Sequence, residues 1–226
     1  MARTVGVLGG MGPDATVDFM AKVIAATPAS KDQDHVPMII DHNPQVPNRQ
    51  EALLRGGEDP GPEMARMARR LEAAGADFLV IPCNSAFAFR EAVEAAVSVP
   101  LVSIVDATAD ACAGFDVVGL LATDGCMSSH IYQDALAQRG VEVRLPDAGE
   151  LDELMRLISA IKAGDKSDAV AGSMQSLAVA LVSRGCQAII AGCTEIPLVL
   201  EESMLDVPLI SSTDLLAEAT VRIALA

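Results

Sequence analysis

Two cysteines, Cys83 and Cys193, occupy the same position in two similar segments of the chain. Residues 71–86 read LEAAGADFLVIPCNSA and residues 181–196 read LVSRGCQAIIAGCTEI, which aligns the two thiols. In each segment a predicted helix ends at a glycine, and the apolar run after it predicts a buried strand that leads to the cysteine. Two thiols at matched places can face one cleft from opposite sides. This arrangement suits a reaction that needs an acid on one face of a carbon atom and a base on the other.

The elements that must position these thiols form an alternating pattern. The predicted strands cover residues 4–8, 38–41, 78–82, 101–104, 117–121, 188–191 and 209–210. The predicted helices cover residues 15–26, 63–74, 86–96, 128–138, 151–163 and 168–184. Short apolar strands that alternate with helices are typical of parallel sheets covered on both faces. We therefore predict an α/β fold with mostly parallel sheets flanked by helices, and an irregular stretch at residues 43–62.

The repeat extends beyond the two cysteine segments. VGVL at residues 5–8 resembles VGLL at 118–121, and VPLVS at 99–103 resembles VPLIS at 207–211. The offsets of the three matches are 113, 110 and 108 residues, in the same order along the chain. A nearly constant offset favours two homologous half-domains over a chance likeness between α/β units. We assign residues 1–104 plus 209–226 to the first domain and residues 105–208 to the second.

The predicted placement of Cys83 and Cys193 favours a chemical role. Ligands of open parallel sheets bind outside the carboxyl ends of the strands, which is where both cysteines fall. Each also precedes a helical segment, whose N–H groups and dipole favour a thiolate. Cys112 and Cys186 fall on helical positions and are interpreted as buried apolar residues. Cys126 follows strand 117–121 and could line the cleft, but a structural role is the preferred interpretation.

The first predicted strand leads into the turn Gly9-Gly10-Met11-Gly12, which invites a dinucleotide-binding interpretation. The sequence GGMGPD is not GxGxxG, and no acidic residue closes a second strand in a position suitable for binding a ribose. The Lys-Ser/Thr pair of a phosphate-binding loop is also missing. We therefore predict no cofactor, and interpret the glycines as a close approach of the backbone to a small ligand, with Met11 as a wall.

The composition is that of a globular protein, with 226 residues, of which 51% are hydrophobic and 21% charged. A net charge of −15 without a run of Lys or Arg argues against nucleic-acid binding. No apolar run approaches the roughly 18–20 residues of a membrane span, and the N-terminus lacks the features of a signal peptide. The five cysteines lack a metal-binding spacing. We expect a cytoplasmic protein with reduced thiols and without a metal.

Four motifs together resemble the aspartate/glutamate racemase family, and are most similar to those of its cofactor-independent aspartate racemases. They are GVLGGMGP at residues 6–13, NPQVPNR at 43–49, PCNSA at 82–86 and AGCTE at 191–195. They occur in the family's order and spacing and span almost the whole chain. Phe87 departs from the family pattern, which commonly has a histidine there, and Asn48 replaces an aspartate that often precedes the motif arginine. Both departures bear on the substrate more than on the chemistry.

The resemblance implies two pseudo-symmetric α/β domains with an active site in the cleft between them, usually in a homodimer. It implies that Cys83 and Cys193 are the catalytic acid and base, and that Arg49 and Lys162 bind the carboxylates of a small-molecule substrate. The predicted substrate-binding residues are Met11, Arg49, Asn84, Ser85, Thr123, Lys162 and Thr194.

The predicted function is the interconversion of L- and D-aspartate, or of a related acidic amino acid, without a cofactor. One alternative is an enzyme of the same superfamily with another substrate. Glutamate or other amino-acid racemases, hydantoin racemases, maleate isomerases and malonate-type decarboxylases belong to this group. The second alternative is a two-lobed small-molecule sensor without catalysis, which would tolerate serine at both cysteine positions.

Overall fold

Two parallel four-stranded sheets form the framework of the protein in a computed structural model that describes residues 2–226. The first sheet contains β1 (Val5–Gly9), β2 (Met38–His42), β3 (Phe78–Val80) and β4 (Leu101–Val102), in the order β2-β1-β3-β4. The second contains β5 (Val117–Leu121), β6 (Glu142–Arg144), β7 (Ala188–Ala191) and β8 (Leu209–Ser211), in the order β6-β5-β7-β8. The two orders are the same, as expected for an internal repeat. The α/β fold with parallel sheets is confirmed.

Helices follow most of the strands and cover the sheets. Their bounds are α1 (Pro13–Ala26), α2 (Arg49–Arg55), α3 (Gly61–Ala73), α4 (Asn84–Phe87), α5 (Arg90–Glu94), α6 (Ile104–Ala111), α7 (Asp124–Ser128), α8 (Ile131–Ala137), α9 (Ala148–Lys162), α10 (Asp168–Ser183) and α11 (Ser212–Ala224). Helix α11 packs against α1 and α6. Across residues 2–226, no helix combines the length and the apolar character needed to cross a membrane.

The last strand lies in the second sheet, where β8 pairs with β7. The sequence-based division places residues 209–226 in the first domain, whereas the strand at 209–211 pairs within the second sheet. The reason is that residues 207–211 repeat residues 99–103, whose strand β4 likewise pairs with the central strand of its own sheet, β3. Helix α11 contacts both α1 and α6, and the division of the chain into two domains stays a prediction.

Several elements differ from the sequence-based prediction. Strand β6 was missed because its residues are exposed or half-buried and carry charged side chains, so no apolar run marks it. The predicted helix at 86–96 is divided into α4 and α5. The stretch predicted to be irregular contains α2, which begins after Asn48. The side chain of Asn48 accepts hydrogen bonds from the backbone N–H groups of Gln50 and Glu51 and so caps this helix.

The repeat is also visible in packing, because Gly6 in β1 and Gly119 in β5 face the same kind of neighbours. A Cβ atom on Gly6 would lie 2.6 Å from Cδ2 of Leu79 and 3.1 Å from Cβ of Leu71. A Cβ atom on Gly119 would lie 2.8 Å from Cδ1 of Ile189 and 3.1 Å from Cβ of Leu181. In both halves a helix therefore packs directly on the backbone of the first strand. This close approach brings α3 and α10 onto their sheets and so places the strands that lead to the two cysteines.

We expect Gly6→Ala and Gly119→Ala each to lower the free energy of unfolding by about 1–3 kcal/mol, because each adds a methyl group to a filled space. Urea unfolding followed by circular dichroism measures this change. Gly172→Ala is the matched control, since Gly172 lies in α10 and a Cβ there meets no atom within 4 Å. The control should be as stable as the wild type or more stable, since alanine favours a helix. Equal stability of all three variants would contradict this description of the packing.

Candidate active site

The two matched cysteines lie just beyond the carboxyl ends of the central strands β3 and β7. Cys83 precedes α4, and Cys193 follows the last residue of β7 by two positions. Their side chains are buried, with exposures of 5% and 6%. Both line one small cavity of about 10 Å³. Its other lining residues are Asn84, Ser85, Thr123, Lys162, Gly192, Thr194 and Glu195. The structure therefore brings both cysteines together with five of the seven predicted substrate-binding residues.

A larger cleft of about 440 Å³ leads to this cavity, because Thr123, Lys162 and Glu195 line both. Arg49, the sixth predicted binding residue, lines the larger cleft. Met11, the seventh, is only 2% exposed, lies in the hydrophobic core and lines neither space. The flanking glycines, Gly10 and Gly12, line the cleft in its place.

Cys193 is held by the carboxylate of Glu195, a residue of the motif AGCTE to which the sequence assigned no role. Its thiol donates a hydrogen bond to Oε2 of Glu195 at 3.0 Å, and Glu195 is itself 4% exposed. Burial raises the pKa of Cys193 well above its ordinary value. The negative charge of Glu195 raises that pKa further, and the charge of Lys162 opposes both effects. Cys193 is therefore a neutral thiol at neutral pH.

Lys162 is the last residue of α9 and reaches toward both thiols from the mouth of the cavity. Its Nζ lies 3.6 Å from Oε1 of Glu195, and its side chain is 43% exposed. Burial lowers the pKa of Lys162, but Glu195 and the two thiols, Cys193 and Cys83, raise it by more, so the net shift is upward. A positive charge at the C-terminus of a helix is also favourable. Lys162 thus keeps its charge at neutral pH beside the thiols.

Within residues 2–226, the thiol of Cys83 forms no hydrogen bond with a carboxylate. Its Sγ lies 3.7 Å from Oγ of Ser85, and either atom can donate. Cys126 is buried near it, and burial, together with the charge of Cys83, raises the pKa of Cys126 to about 12. Burial also raises the pKa of Cys112 to about 12. Cys112 and Cys126 are therefore neutral thiols, and the two aligned thiols, Cys83 and Cys193, have unlike partners.

Thr123 presents a hydroxyl proton to the cleft because its oxygen already accepts two hydrogen bonds. Nε2 of Gln50 donates to it at 2.8 Å, and the backbone N–H of Cys126 donates at 3.4 Å. Gln50 was not recognised from the sequence, and its Oε1 also accepts from the backbone N–H of Gly125 at 2.8 Å. With both lone pairs of Thr123 engaged, its O–H is left as a donor, which suits a carboxylate oxygen.

Arg49 has the surroundings of an anion-binding residue. Its Nη1 donates to the backbone carbonyls of Val46 and Pro47, at 2.9 and 2.8 Å. Its Nε is buried and without a hydrogen-bond partner in the described chain, and within residues 2–226 it forms no ion pair with a carboxylate. In a chain with a net charge of −15, an arginine that lines a cleft and has no acidic partner within residues 2–226 is suited to bind a negatively charged group.

The two departures from the family pattern lie beside this site. Phe87 ends α4, is buried, and packs under the guanidinium of Arg90, whose Cζ lies 5.6 Å from the ring centre. It lines neither of the two spaces that contain the thiols and Arg49. Asn48 lines the cleft and caps the helix that Arg49 begins. In the part of the chain that is described, residues 2–226, no group of three or more His, Cys, Asp or Glu is placed to hold a metal ion.

Comparison with known proteins gives a consistent result. The chain matches the profile of the family Asp/Glu/Hydantoin racemase over residues 8–220. It is 32% identical to the broad-specificity amino-acid racemase RacX of Bacillus subtilis over 242 aligned positions, which cover 98% of each protein. Its structure is similar to that of the Picrophilus torridus aspartate racemase, with a TM-score of 0.89, 29% identity, and coverage of 98% of this chain and 94% of that one. An aspartate racemase homologue from Pyrococcus horikoshii gives a TM-score of 0.81 at 26% identity over the full length of both chains. Sequence motifs, fold and profile agree, and the protein belongs to the Asp/Glu/hydantoin racemase family.

Proposed function

We propose that this protein racemises an α-amino acid, with aspartate as the first candidate, by proton transfer between Cα and the thiols of Cys83 and Cys193. The observation that carries the proposal is that both buried thiols line one cavity, to which the charged Lys162 also contributes. Racemisation needs one group that removes a proton from Cα and another that adds a proton to the opposite face. Two thiols in one cavity supply both groups without a cofactor.

The proton balance of the proposed step is simple. A thiolate on one side removes the proton from Cα and becomes a thiol, and the electron pair of the C–H bond is delocalised into the carboxylate. The thiol on the other side donates its proton to the opposite face of Cα and becomes a thiolate. The configuration of Cα is inverted, and the two sulfurs have exchanged their protonation states. The enzyme is then ready for the reverse reaction, so each thiol serves one enantiomer.

The electrostatics of the cleft support a defined starting state for this cycle. Cys193 begins as the thiol, because burial and the charge of Glu195 keep it protonated. Cys83 then has to supply the thiolate for the enantiomer that the enzyme meets in this state. Lys162 opposes the effect of Glu195 on Cys193, which reduces the cost of the alternative state. Both charges are held close to the sulfur atoms, as efficient proton transfer requires.

Carboxylate binding is assigned to Arg49, Lys162 and the hydroxyl of Thr123. Arg49 lacks an acidic partner, Lys162 keeps its positive charge, and Thr123 has only a proton left to offer. Charge-assisted hydrogen bonds from these groups also stabilise the enediolate-like transition state, in which negative charge builds up on the carboxylate. The cations Arg49 and Lys162 line the cleft together with the carboxylates of Asp14 and Glu195, so it offers both signs of charge to an amino acid, which carries a carboxylate and an ammonium group.

The preference for aspartate rests on the motifs and on the similarity to the Picrophilus torridus aspartate racemase. The similarity to a broad-specificity racemase leaves room for other amino acids. Proton NMR in deuterated water, without pyridoxal phosphate, tests the proposal by following the loss of the Cα–H signal from L- and D-aspartate, glutamate and neutral amino acids. If none of these amino acids loses its Cα–H signal, the isomerase or decarboxylase alternative is favoured. The homodimer, the cytoplasmic location and the division into two domains stay predictions.

Removal of either aligned thiol should abolish racemisation. We expect Cys83→Ala and Cys193→Ala to lower kcat for racemisation by at least about 10³-fold, because each lacks a proton carrier on one face of Cα. Each variant should still exchange Cα–H with solvent from one enantiomer, and the two variants should act on opposite enantiomers. Cys186→Ala is the matched control, since that cysteine is also buried but lies outside the cavity, and it should racemise normally. A Cys193→Ala variant with wild-type racemisation would refute the two-thiol proposal.

Replacement of Glu195 should lower the pKa of Cys193. In Glu195→Gln the negative charge 3.0 Å from the sulfur is absent, so we expect a fall of about one unit or more. The rate of iodoacetamide alkylation at Cys193, measured against pH by mass spectrometry, gives this pKa. Glu201→Gln, at an exposed position outside the cavity, should leave it unchanged. An unchanged alkylation profile in Glu195→Gln would contradict the electrostatic role of this carboxylate.

Replacement of Arg49 should weaken the binding of the substrate carboxylate. We expect Arg49→Gln to reduce kcat/KM by about 10–100-fold, the usual effect of losing a charged hydrogen-bond donor. Arg55→Gln is the control in the same helix, because Arg55 is exposed and, within residues 2–226, pairs only with Glu51. Steady-state kinetics of both variants measures the difference. Similar kcat/KM values for the two variants would remove Arg49 from the binding site.

A further inference from the structure

A chain of buried hydrogen bonds joins Tyr132, Asn84, Ser212 and the backbone carbonyl of Ala191. The hydroxyl of Tyr132 donates to Oδ1 of Asn84 at 2.6 Å. Nδ2 of Asn84 donates to Oγ of Ser212 at 3.0 Å, and Ser212 donates to the carbonyl of Ala191 at 2.8 Å. All three side chains are buried, and neither Tyr132 nor Ser212 lines the thiol cavity or the cleft. We call this chain the Tyr132 relay.

The direction of each hydrogen bond in the relay is determined by the next. Ser212 uses its one proton on the carbonyl of Ala191, so it can only accept from Asn84. Asn84 must therefore turn its Nδ2 toward Ser212 and its Oδ1 toward Tyr132. The tyrosine hydroxyl also lies near Ser212 and near Thr108, the latter at 3.4 Å, and the proton of Thr108 goes to the carbonyl of Ile104.

The tyrosine is therefore a permanent donor to Asn84. Burial raises the pKa of Tyr132 far above its ordinary value, so the hydroxyl stays protonated. Both Thr108 and Oδ1 of Asn84 can accept the proton of the Tyr132 hydroxyl. Oδ1 of Asn84 is the closer acceptor, so the tyrosine donates to it. An amide that donates at one end and accepts at the other cannot rotate by half a turn without losing both hydrogen bonds.

This orientation has a consequence for the site. Asn84 lines the cavity that contains both thiols. Of its two Nδ2 protons, one goes to Ser212, and the other has no partner within residues 2–226. The free proton makes Asn84 a donor to an oxygen atom of a bound substrate. A reversed amide would instead present a carbonyl oxygen, which would repel a carboxylate.

The relay also connects the two segments that hold the thiols. Asn84 is adjacent to Cys83, and Ala191 ends β7 two residues before Cys193. Ser212 begins α11 and Tyr132 lies on α8. The relay is thus a direct side-chain link between the end of the first sheet's central strand and the end of the second's.

We propose that Tyr132 is a positioning residue that fixes the amide of Asn84 as a hydrogen-bond donor to the substrate. The part that concerns the substrate rests on the proposed racemisation. The part that concerns Asn84 is a property of the free protein and is tested separately.

The first measurement follows the side-chain NH₂ signals of Asn84 in ¹⁵N-labelled protein, identified by their loss in Asn84→Ala. In the wild type we expect slow exchange of these protons with solvent. In Tyr132→Phe we expect exchange to be at least about tenfold faster, because Oδ1 of Asn84 no longer accepts a hydrogen bond from the tyrosine and the amide can rotate. Thr108→Val is the matched control, since it removes a longer contact of the same hydroxyl, and should leave the exchange unchanged. Ser212→Ala, which breaks the relay at its other end, replaces Tyr132→Phe if that variant does not fold.

The second measurement is a double-mutant cycle on kcat/KM. We expect Tyr132→Phe to reduce kcat/KM by about tenfold or more in the wild-type background and by less than about twofold in the Asn84→Ala background. A tyrosine that only stabilised the fold would have the same effect in both backgrounds. Equal effects, or unchanged exchange of the Asn84 protons in Tyr132→Phe, would overturn the proposal. If the wild type racemises no amino acid, the proposed function fails, while the exchange of the Asn84 protons still decides the positioning role.

Discussion

The burial of two thiols in one cavity is the constraint on which the rest of the site depends. A buried thiol resists ionisation, yet the proposed proton transfer needs one of the two sulfurs as a thiolate. Lys162 favours the thiolate, because its positive charge lowers the pKa of Cys193, which burial and Glu195 raise. The cavity is small, about 10 Å³ before a ligand enters, and it opens to a cleft of about 440 Å³. In the proposed reaction, the substrate enters through the cleft and its Cα lies between the two sulfurs.

A symmetric framework carries an asymmetric site. The strand orders, the close packing at Gly6 and Gly119 and the placement of the cysteines repeat between the two halves. The side chains beside the thiols do not repeat, since Cys83 lies near a serine hydroxyl and Cys193 donates to a carboxylate. A racemase acts on two enantiomers that differ only in handedness at Cα, so it needs two opposed proton carriers. It does not need equal surroundings for the two thiols, and the contact of Glu195 with Cys193 makes them different.

The predictions from sequence succeeded where a pattern is local or repeated. The alternation of apolar strands with helices predicted the α/β fold, and the aligned cysteine segments predicted two thiols at equivalent strand ends. Strand β6 was missed because it is not apolar. Met11 was placed at the ligand because it lies between glycines, yet its side chain packs in the core while the glycines line the cleft.

Other parts of the site depend on contacts between distant residues, which one sequence does not reveal. Tyr132 meets Asn84 across 48 positions and Gln50 meets Thr123 across 73. Nothing around Tyr132 marks it as part of a site, and although Gln50 follows Arg49, nothing near it in sequence indicates its contact with Thr123. The contact of Glu195 with Cys193 could have been predicted, because an acidic residue two positions after a predicted catalytic cysteine lies close to it. A capping Asn48 before Arg49 was also readable as a helix start, since asparagine is a favoured N-cap.

The central claim is that two different groups carry the proton on the two faces of Cα. The most direct test is wild-type racemisation of one enantiomer in deuterated water, stopped at low conversion, with the deuterium at Cα measured by mass spectrometry after separation of the enantiomers. The two-thiol account predicts that the product enantiomer is almost fully deuterated while the remaining substrate still carries hydrogen, because the donor of the new proton is not the group that removed the old one. A product that retains the original hydrogen would indicate a single base that returns the same proton, and would contradict the account.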